Sequence, residues 1–403
     1  MVIPFSSPHI DQRIIDEVTD TLRSGWITTG PKTKKFEHNL TTYCGNKATL
    51  AVNSNTTGLE IVLRWFGIQS GDEVILPAYT YCATANVVVH CGAKPVMVDI
   101  NSDDLNISVE NIKKAITPQT KVIIPVDLGG MPCDYDELFS LVKSTEIKSL
   151  FAPSTEEQKK LGRILILSDS AHTIGAVYKN RKAGTFADIS VFSFHAVKNL
   201  TTAEGGAIAL NLLEPFDNEA VYKYLCVFTL HGQDQDALAK TKKGVWRYDV
   251  ITSGYKGNMT DIIASLGLIE LERYEDILKN RKYIFDKYTE ALKKYEWVEL
   301  PIYETPAKKT SYHLYCLRIK GVSEEQRDDI IQRIFDKDVS VNVHYQPLPL
   351  LTVFKEKGYK MADYPVSYHC YCREISLPVW YGLTDKMIGQ VIRAVVQSVE
   401  EVL

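Results

Sequence analysis

Short apolar runs recur along this chain, and they constrain its fold more than any other feature. The runs lie at 47–52, 73–77, 94–99, 121–126, 164–167, 189–194 and 207–210. Several are apolar at consecutive positions instead of alternating, which is typical of strands buried on both faces of a mostly parallel sheet. Helix-like stretches fall between many of them, for example at 57–65 and 109–116. This alternation predicts an α/β layer structure.

The pattern changes about two thirds of the way along the chain. Before that point, apolar residues at helical spacing predict a first helix at 11–22, and the irregular segment 145–162 is predicted to be a surface excursion. After it, a long helical stretch at 261–295 leads into a mixed α+β tail. Because 403 residues are too many for one small core, we predict a large α/β domain at 1–260 and a smaller α+β domain at 261–403.

The charge pattern excludes some classes of partner. The net charge is −4, 24% of residues are charged, and both signs are mixed along the chain. We therefore expect neither a nucleic-acid surface nor an anionic-membrane surface. No run reaches the ~20 apolar residues of a membrane span, and the N-terminus lacks the features of a signal peptide. We expect a cytoplasmic protein.

Eight cysteines are scattered along the chain without a CxxC pair. In a chain of this size, such a distribution favours reduced, mostly buried thiols over disulfides. His369, Cys370 and Cys372 are close in sequence, but this i, i+2 spacing lacks a second ligand pair. We predict no metal site.

Three polar segments follow strand-like runs, at the sheet edge where open α/β sheets bind ligands. The first is SNTTG at 54–58, which follows the run 47–52 and opens a helix. Helix N-termini present unpaired N–H groups and suit a phosphate. Plain N-capping by the same residue types is the alternative.

The second segment contains Asp169, which comes just after the run 164–167. An anion at this position would keep the ring nitrogen of a cofactor protonated, and the charged ring would then act as an electron sink. Capping of the next helix is the alternative role for this carboxylate.

The third segment contains Lys198, which lies between the run 189–194 and a Gly-Gly turn. A lysine used for imine chemistry must lose its proton, and a desolvated site favours this loss. Asp169 precedes Lys198 by 29 residues, and the pair points to cofactor chemistry more strongly than either residue alone. Tyr81, past another strand end, is placed to stack on a cofactor ring or to pack in the core.

Signatures of several other enzyme classes are absent from the sequence. No GxGxxG follows a strand, so a dinucleotide site is unsupported. The segment 25–33 resembles a phosphate loop, but Pro31 breaks the Gly-Lys pairing and no strand precedes it. The absence of HExxH and GxSxG weakens zinc-protease and serine-hydrolase interpretations.

At these residues the chain resembles the DegT/DnrJ/EryC1/StrS family of nucleotide-sugar aminotransferases, which depend on pyridoxal 5'-phosphate (PLP). The most specific segments are SDSAHTIGA at 168–176 and SFHAVKNLTTAEGGA at 193–207. Further matching segments, in order, are GWITTGP at 25–31, NSNTTGL at 53–59, PAYTYCATAN at 77–86, GAKPVMVDI at 92–100, HG at 231–232, GYKGNMTDI at 254–262, YHLY at 312–315, HYQPL at 344–348 and SLP at 376–378. The resemblance implies the type I, aspartate-aminotransferase-like PLP fold.

The resemblance also implies roles for individual residues. Lys198 would hold PLP as a Schiff base and later carry the proton, and Asp169 would pair with the pyridine nitrogen. Tyr81 would stack on the ring, and His172, where the family often has Gln, would lie near the phenolic oxygen. The phosphate would be held by Asn55, Thr56, Thr57 and Ser193, and from the second chain of a homodimer by Asn258. Expected substrate contacts are Thr29, His195, His231 and His313.

Two positions depart from the family pattern. Asp127 stands where many members have His, and Pro349 where many have a second His after the HYxP motif. Both are expected near the sugar pocket, which bears on substrate identity. Some members carry His in place of the lysine and dehydrate sugars, so Lys198 favours transamination.

The resemblance implies glutamate as amino donor and a nucleotide sugar as acceptor. The segments SFHAVKN and GYKGNMTDI look most like those of members that aminate C4 of UDP-linked 4-keto sugars. The predicted acceptor is a UDP-4-keto-6-deoxy-N-acetylhexosamine, for capsule, O-antigen or glycan precursors. A UDP-4-keto-pentose is the nearest alternative, and a 3-keto dTDP-sugar is a further one. Two other functions stay open: a PLP lyase or decarboxylase acting on amino acids, and a non-catalytic regulator.

Overall fold

A central sheet of seven strands organises the structure, a computed structural model that describes residues 2–234 and 247–403. The strand order is β1-β9-β8-β5-β4-β2-β3, and all strands run parallel except β9, which pairs antiparallel with both β1 and β8. The strands are β1 Ala48–Val52, β2 Glu73–Pro77, β3 Lys94–Val98, β4 Thr120–Ile123, β5 Leu165–Asp169, β8 Ile189–Ser193 and β9 Gly206–Leu210. The expected α/β fold with a mostly parallel sheet is confirmed.

Both faces of this sheet are buried, as the consecutive apolar residues predict. Along β5, Ile166 packs into one hydrophobic cluster, whereas Leu165 and Leu167 pack into a second cluster on the opposite face. The helices of the first two thirds of the chain are α1 Gln12–Ser24, α2 Pro31–Cys44, α3 Asn55–Trp65, α4 Cys82–His90, α5 Val109–Ala115, α6 Tyr135–Lys143, α7 Thr145–Leu150, α8 Glu156–Leu161 and α9 Asn218–Phe228.

A smaller antiparallel sheet lies in the C-terminal third, in the order β10-β12-β13. Its strands and the surrounding helices are α10 Asp261–Glu272, α11 Tyr274–Leu292, β10 Val298–Glu299, β12 Tyr315–Ile319, α12 Glu324–Phe335, α13 Thr352–Glu356, α14 Pro365–Tyr371, β13 Glu374–Leu377 and α15 Asp385–Glu400. A third small sheet joins β11 Lys308–Lys309 to the hairpin of β6 Val177–Tyr178 and β7 Arg181–Lys182. The division of the chain at residue 260 stays a prediction.

Local signals explain where several helices end. The predicted first helix is α1, which runs to Ser24 and stops at Gly25, whose φ of +74° is the left-handed conformation that favours glycine. The long helical stretch 261–295 is two helices separated at Arg273. The segment 145–162 contains the short helices α7 and α8, and the buried Gln158 anchors α8 by donating to the Phe66 carbonyl.

All eight cysteines are free thiols. None of the helices in the described part of the chain is long and apolar enough to cross a membrane.

Candidate active site

A cavity of about 450 Å³ opens at the carboxyl ends of the parallel strands. Its size falls within the range of small-molecule sites. We call it the active-site cavity. It is lined by Ser54, Asn55, Thr56, Thr80, Tyr81, Ala83, Val126, Asp169, Ala171, His172, Ser193, His195, Val197, Lys198, Glu204, Gly205, Asn342, His344 and Tyr345.

Asp169 ends β5 and is buried at the base of this cavity. Three donors hold its carboxylate: Thr84 Oγ1 at 2.8 Å from Oδ2, and Asn55 Nδ2 at 3.1 Å and the Ala171 amide at 3.3 Å from Oδ1. Burial raises the pKa of the Asp169 carboxyl above its usual range, while these donors and the nearby Lys198 oppose that shift. The arrangement places a hydrogen-bonded carboxyl group at the wall of the cavity.

Lys198 reaches the same cavity from the turn after β8. Burial lowers the pKa of its ammonium to about 8, against the opposing effect of Asp169. The described residues give Nζ no hydrogen-bond partner, so the amine is available to a ligand. A lysine with this pKa is present partly as the free amine near neutral pH, which imine chemistry requires.

The N-terminus of α3 forms another wall of the cavity. Ser54 caps the helix, with Oγ accepting from the Thr57 amide at 3.1 Å. Asn55 and Thr56 line the cavity, so backbone N–H groups and a positive helix end face a ligand there. The start of β9 packs closely behind, because a Cβ at Gly206 would lie only 2.6 Å from the Asn55 backbone nitrogen.

His172 is a neutral hydrogen-bond donor toward the cavity. The Gly129 amide donates to its Nδ1 at 3.3 Å, so the proton of the neutral ring lies on Nε2, which is 3.0 Å from the Tyr345 hydroxyl oxygen. Burial, together with the charge of Lys198, keeps the pKa of His172 well below its usual range. The His313 ring packs against His172 with ring centroids 4.4 Å apart.

The remaining predicted cavity residues take more peripheral places. Tyr81 lies at the mouth, 58% exposed, and its ring centroid is 5.7 Å from that of Tyr345. Ser193 lines the wall at the end of β8, and the exposed His195 is 3.6 Å from Glu204 in an ion-pair geometry.

Five of the predicted site residues do not line this cavity. Asn258 donates to Thr29 Oγ1 at 2.6 Å, and Thr57 Oγ1 accepts from Ser54. His231 donates its backbone amide to the Tyr255 carbonyl. His313 sits behind His172, with its Nδ1 2.8 Å from Asn199 Oδ1.

The two departures from the family pattern also lie outside the cavity lining. The Asp127 side chain faces Tyr135 and Ser168, on the sheet face opposite to Asp169. Pro349 is buried in the turn Leu348–Leu350, whose first amide donates to the Ala78 carbonyl. Neither residue lines the active-site cavity, and their nearness to a bound sugar stays a prediction.

Sequence reasoning missed four residues that shape the site. Thr84 supports Asp169, while Asn342, His344 and Tyr345 line the cavity from the C-terminal third. The motif HYQP contains His344 and Tyr345, but a sequence motif alone does not show what either side chain contacts. Thr84 follows Tyr81, the N-cap residue of α4, by about one helical turn, and that spacing was the available signal.

Comparison with known proteins gives consistent matches along the whole chain. The profile described as "DegT/DnrJ/EryC1/StrS aminotransferase family" matches residues 8–152 and 154–396. The chain is 38% identical over 402 residues to the uncharacterized protein MJ1066 of Methanocaldococcus jannaschii, covering 99% of this chain and 98% of that protein. It is 35% identical to the spore coat polysaccharide biosynthesis protein SpsC of Bacillus subtilis, covering 98% and 96% of the two chains.

Solved structures also match the chain across its full length, and one of them is particularly similar. It is described as a sugar aminotransferase, Spr1654 from Streptococcus pneumoniae, in its PMP form. Sequence identity is 46%, the TM-score is 0.96, and the match covers 100% of both chains. A PLP form of the same protein matches at 45% identity with a TM-score of 0.95, covering 100% of both chains.

Proposed function

The chain belongs to the DegT/DnrJ/EryC1/StrS aminotransferase family, and from this premise we propose a specific reaction for a PLP-dependent sugar aminotransferase. The enzyme transfers the amino group of glutamate to the keto carbon C4 of a UDP-linked 4-keto-6-deoxy-N-acetylhexosamine. The products are 2-oxoglutarate and a 4-amino sugar nucleotide for capsule, O-antigen or glycan precursors. The similarity to a coat-polysaccharide protein supports a product used in polysaccharide synthesis.

One observation carries the chemistry: a buried carboxylate and a lysine of lowered pKa face one cavity that also opens onto a helix N-terminus. These residues fit PLP. Asp169 would hold the ring nitrogen, His172 would lie near the phenolic oxygen, and Lys198 would hold the aldehyde carbon. Asn55, Thr56 and Ser193 would hold the phosphate, and Tyr81 would cover the ring. When bound, PLP supplies the electron sink for breaking the Cα–H bond of the donor.

Lys198 is the proton carrier of the reaction. As a free amine it would take the Cα proton of glutamate and pass it to the former aldehyde carbon of the cofactor, and in the second half-reaction it would take a proton from that carbon and deliver it to the sugar carbon that becomes C4–NH₂. Asp169 would pair with the ring nitrogen and favour its protonated form.

A homodimer in the cytoplasm, with shared active sites, is the assembly that we propose. Asn258 lies outside the cavity of its own chain, so its expected phosphate contact is available only to a second chain. The exposed Tyr81 and Val197 lie at the cavity mouth. A partner chain there would exclude water from the reacting atoms.

The proposal is tested with purified, PLP-loaded enzyme in two stages. Glutamate alone should convert the cofactor absorbance to that of the pyridoxamine form, and a lyase or decarboxylase would instead release CO₂ or ammonia. The converted enzyme is then offered UDP- and dTDP-linked 3-keto and 4-keto sugars. Product mass and NMR should show an amine at C4 of the UDP-N-acetylhexosamine. Preference for the UDP-4-keto-pentose or for a dTDP-3-keto sugar would overturn the substrate assignment while leaving the transaminase intact.

A further inference from the structure

His344 lines the active-site cavity, yet none of the steps above uses it. It lies on the segment 342–345, which a pair of backbone hydrogen bonds between Asn342 and Ser376 ties to β13. The ring is half-buried and stacks on Phe5, with centroids 5.3 Å apart. The side chain is therefore held on two sides before any ligand enters.

A chain of hydrogen bonds leads from His344 to a fully buried carboxylate. Nδ1 of His344 is 2.9 Å from Ser376 Oγ, and Ser376 Oγ donates in turn to Glu374 Oε1. The other carboxylate oxygen, Oε2, accepts from the His344 backbone amide at 2.9 Å. Glu374 thus holds the histidine through its side chain and through its backbone.

The direction of these bonds decides where the imidazole proton lies. An ionised Glu374 only accepts hydrogen bonds, so the Ser376 hydroxyl donates its single proton to the carboxylate. Ser376 Oγ must then accept from His344, which places the proton of the neutral ring on Nδ1. Burial and the charge of Lys198 lower the pKa of His344 to about 3, so the ring stays neutral at physiological pH. Nε2 keeps its lone pair, and the described residues give it no partner.

The cavity therefore carries two neutral histidines of opposite tautomer. Nε2 of His172 is a donor because the Gly129 amide occupies Nδ1, whereas Nε2 of His344 is an acceptor because Ser376 occupies Nδ1. Nε2 of His172 already meets the Tyr345 hydroxyl, whereas Nε2 of His344 is left for a ligand. A substrate group that meets His344 must itself donate.

We propose that Glu374 and Ser376 are positioning residues that keep the proton of His344 on Nδ1, so that Nε2 accepts a hydrogen bond from a hydroxyl or amide N–H of the sugar substrate. The substrate contact rests on the proposed function. The tautomer does not, because every bond that sets it lies within the chain. The two parts fail separately and are tested separately.

Glu374 supplies a pH signature that a purely structural role would not produce. Burial raises the pKa of its carboxyl to about 7. Below that pH the protonated carboxyl donates to Ser376, the hydroxyl turns to donate to Nδ1, and the His344 proton moves to Nε2. The groups facing Glu374 are Ser376 on β13, Cys316 on β12, Arg327 on α12, the His344 amide, Tyr79 and Tyr345. Among them Arg327 is the cation, and it favours the carboxylate.

The tautomers are read from ¹⁵N spectra of histidine-labelled holoenzyme at pH 8, with signals assigned by His344→Gln and His172→Gln. We expect a protonated Nδ1 in His344 and a protonated Nε2 in His172. Lowering the pH to 6 should move the proton of His344 and leave that of His172 in place. A protonated Nε2 in His344 at pH 8, or no change between pH 8 and 6, would overturn the assignment.

Ser376→Ala and Glu374→Gln test the positioning roles. Each should turn the His344 signal into a mixture of tautomers, and an unchanged signal in both would reject the proposal. Ser398→Ala is the matched control, because this serine is also buried and the described residues give its hydroxyl no hydrogen-bond partner. In Ser376→Ala, KM for the sugar should rise roughly two- to tenfold, while the rate of conversion by glutamate stays within about twofold. An altered tautomer with an unchanged KM would overturn the substrate contact.

Discussion

Two buried carboxylates lie on neighbouring strand ends of the central sheet, and only one of them faces the active-site cavity. Asp127 follows β4 and Asp169 ends β5, and the Asp127 amide donates to the Asp169 carbonyl at 3.4 Å. Their side chains nevertheless point to opposite faces of the sheet. Asp169 turns toward α3 and α4, whereas Asp127 turns toward α6.

The partners of the two carboxylates differ more than their burial does. Oδ1 of Asp127 accepts from the Cys133 amide at 2.8 Å and from Tyr135 at 2.9 Å, and Ser168 is 3.3 Å from Oδ2. Burial raises the pKa of both carboxyls, that of Asp127 to about 6. What separates them is that Asp169 shares a cavity with an amine. Burial and a shifted pKa alone therefore do not identify a carboxylate that does chemistry.

Removing the amine should give the largest effect. Lys198→Ala should lower turnover by a factor on the order of 10³ or more, because no other lysine lines the cavity among the described residues. The cofactor absorbance should also shift to that of PLP without a lysine linkage. Lys94→Ala, which removes an exposed lysine paired with Glu73, is the control. Turnover within tenfold of wild type in Lys198→Ala would contradict the assigned role.

Exchanging the carboxylates tests the comparison directly. Asp169→Asn should lower turnover roughly 10²-fold or more, because the ring nitrogen loses the anion that keeps it protonated. Asp127→Asn should leave turnover within about threefold, since its side chain meets no part of the cavity. Both are measured as kcat with saturating glutamate and sugar. An equal loss of kcat in the two variants would mean that the two carboxylates do not differ in function despite pointing to opposite faces of the sheet.

The pH dependence of cofactor capture should report the same difference. Burial lowers the pKa of Lys198 to about 8, and the charge of Asp169 opposes that shift. The free amine that captures PLP is therefore populated as pH rises through about 8, and the capture rate of apo-enzyme should rise with that midpoint. Asp169→Asn should move the midpoint lower, and Asp127→Asn should leave it in place. Stopped-flow absorbance measures the rate, and a midpoint near 10 would contradict the burial of this amine.

The smallest effect is expected for the stability of Asp127→Asn. The amide places an N–H group against the donors of Cys133 and Tyr135, which should cost about 1–3 kcal/mol in the free energy of unfolding. The folded pKa of Asp127, about 6, exceeds that of the unfolded chain, so its contribution is complete below about pH 4 and is lost as pH rises through 6. Urea unfolding should therefore show a larger deficit at pH 5 than at pH 7. An equal loss of unfolding free energy at pH 5 and pH 7 would contradict the raised pKa of Asp127.

Much of the α/β architecture is predictable from local sequence. The consecutive apolar residues of 164–167 require cover on both faces, and the structure divides them between two hydrophobic clusters. Asp169 and Lys198 are recognisable in the sequence because a charged residue next to a buried strand is costly unless it is paired or functional. The link from Asn55 to Asp169 spans 114 residues, and no spacing rule reaches that far.

By itself, the sequence determined the layered α/β architecture, the positions of the amine and the carboxylate, and the family. These follow from periodicity and residue type, which are local properties. Only the tertiary structure decided which carboxylate meets the cavity and which tautomer each histidine adopts. Side chains alternate between the two faces along a strand. A shift of one residue in the position of a carboxylate therefore moves its side chain to the opposite face of the sheet. The tautomer of a histidine depends on which ring nitrogen meets a donor and which meets an acceptor, and these groups come from residues distant in sequence.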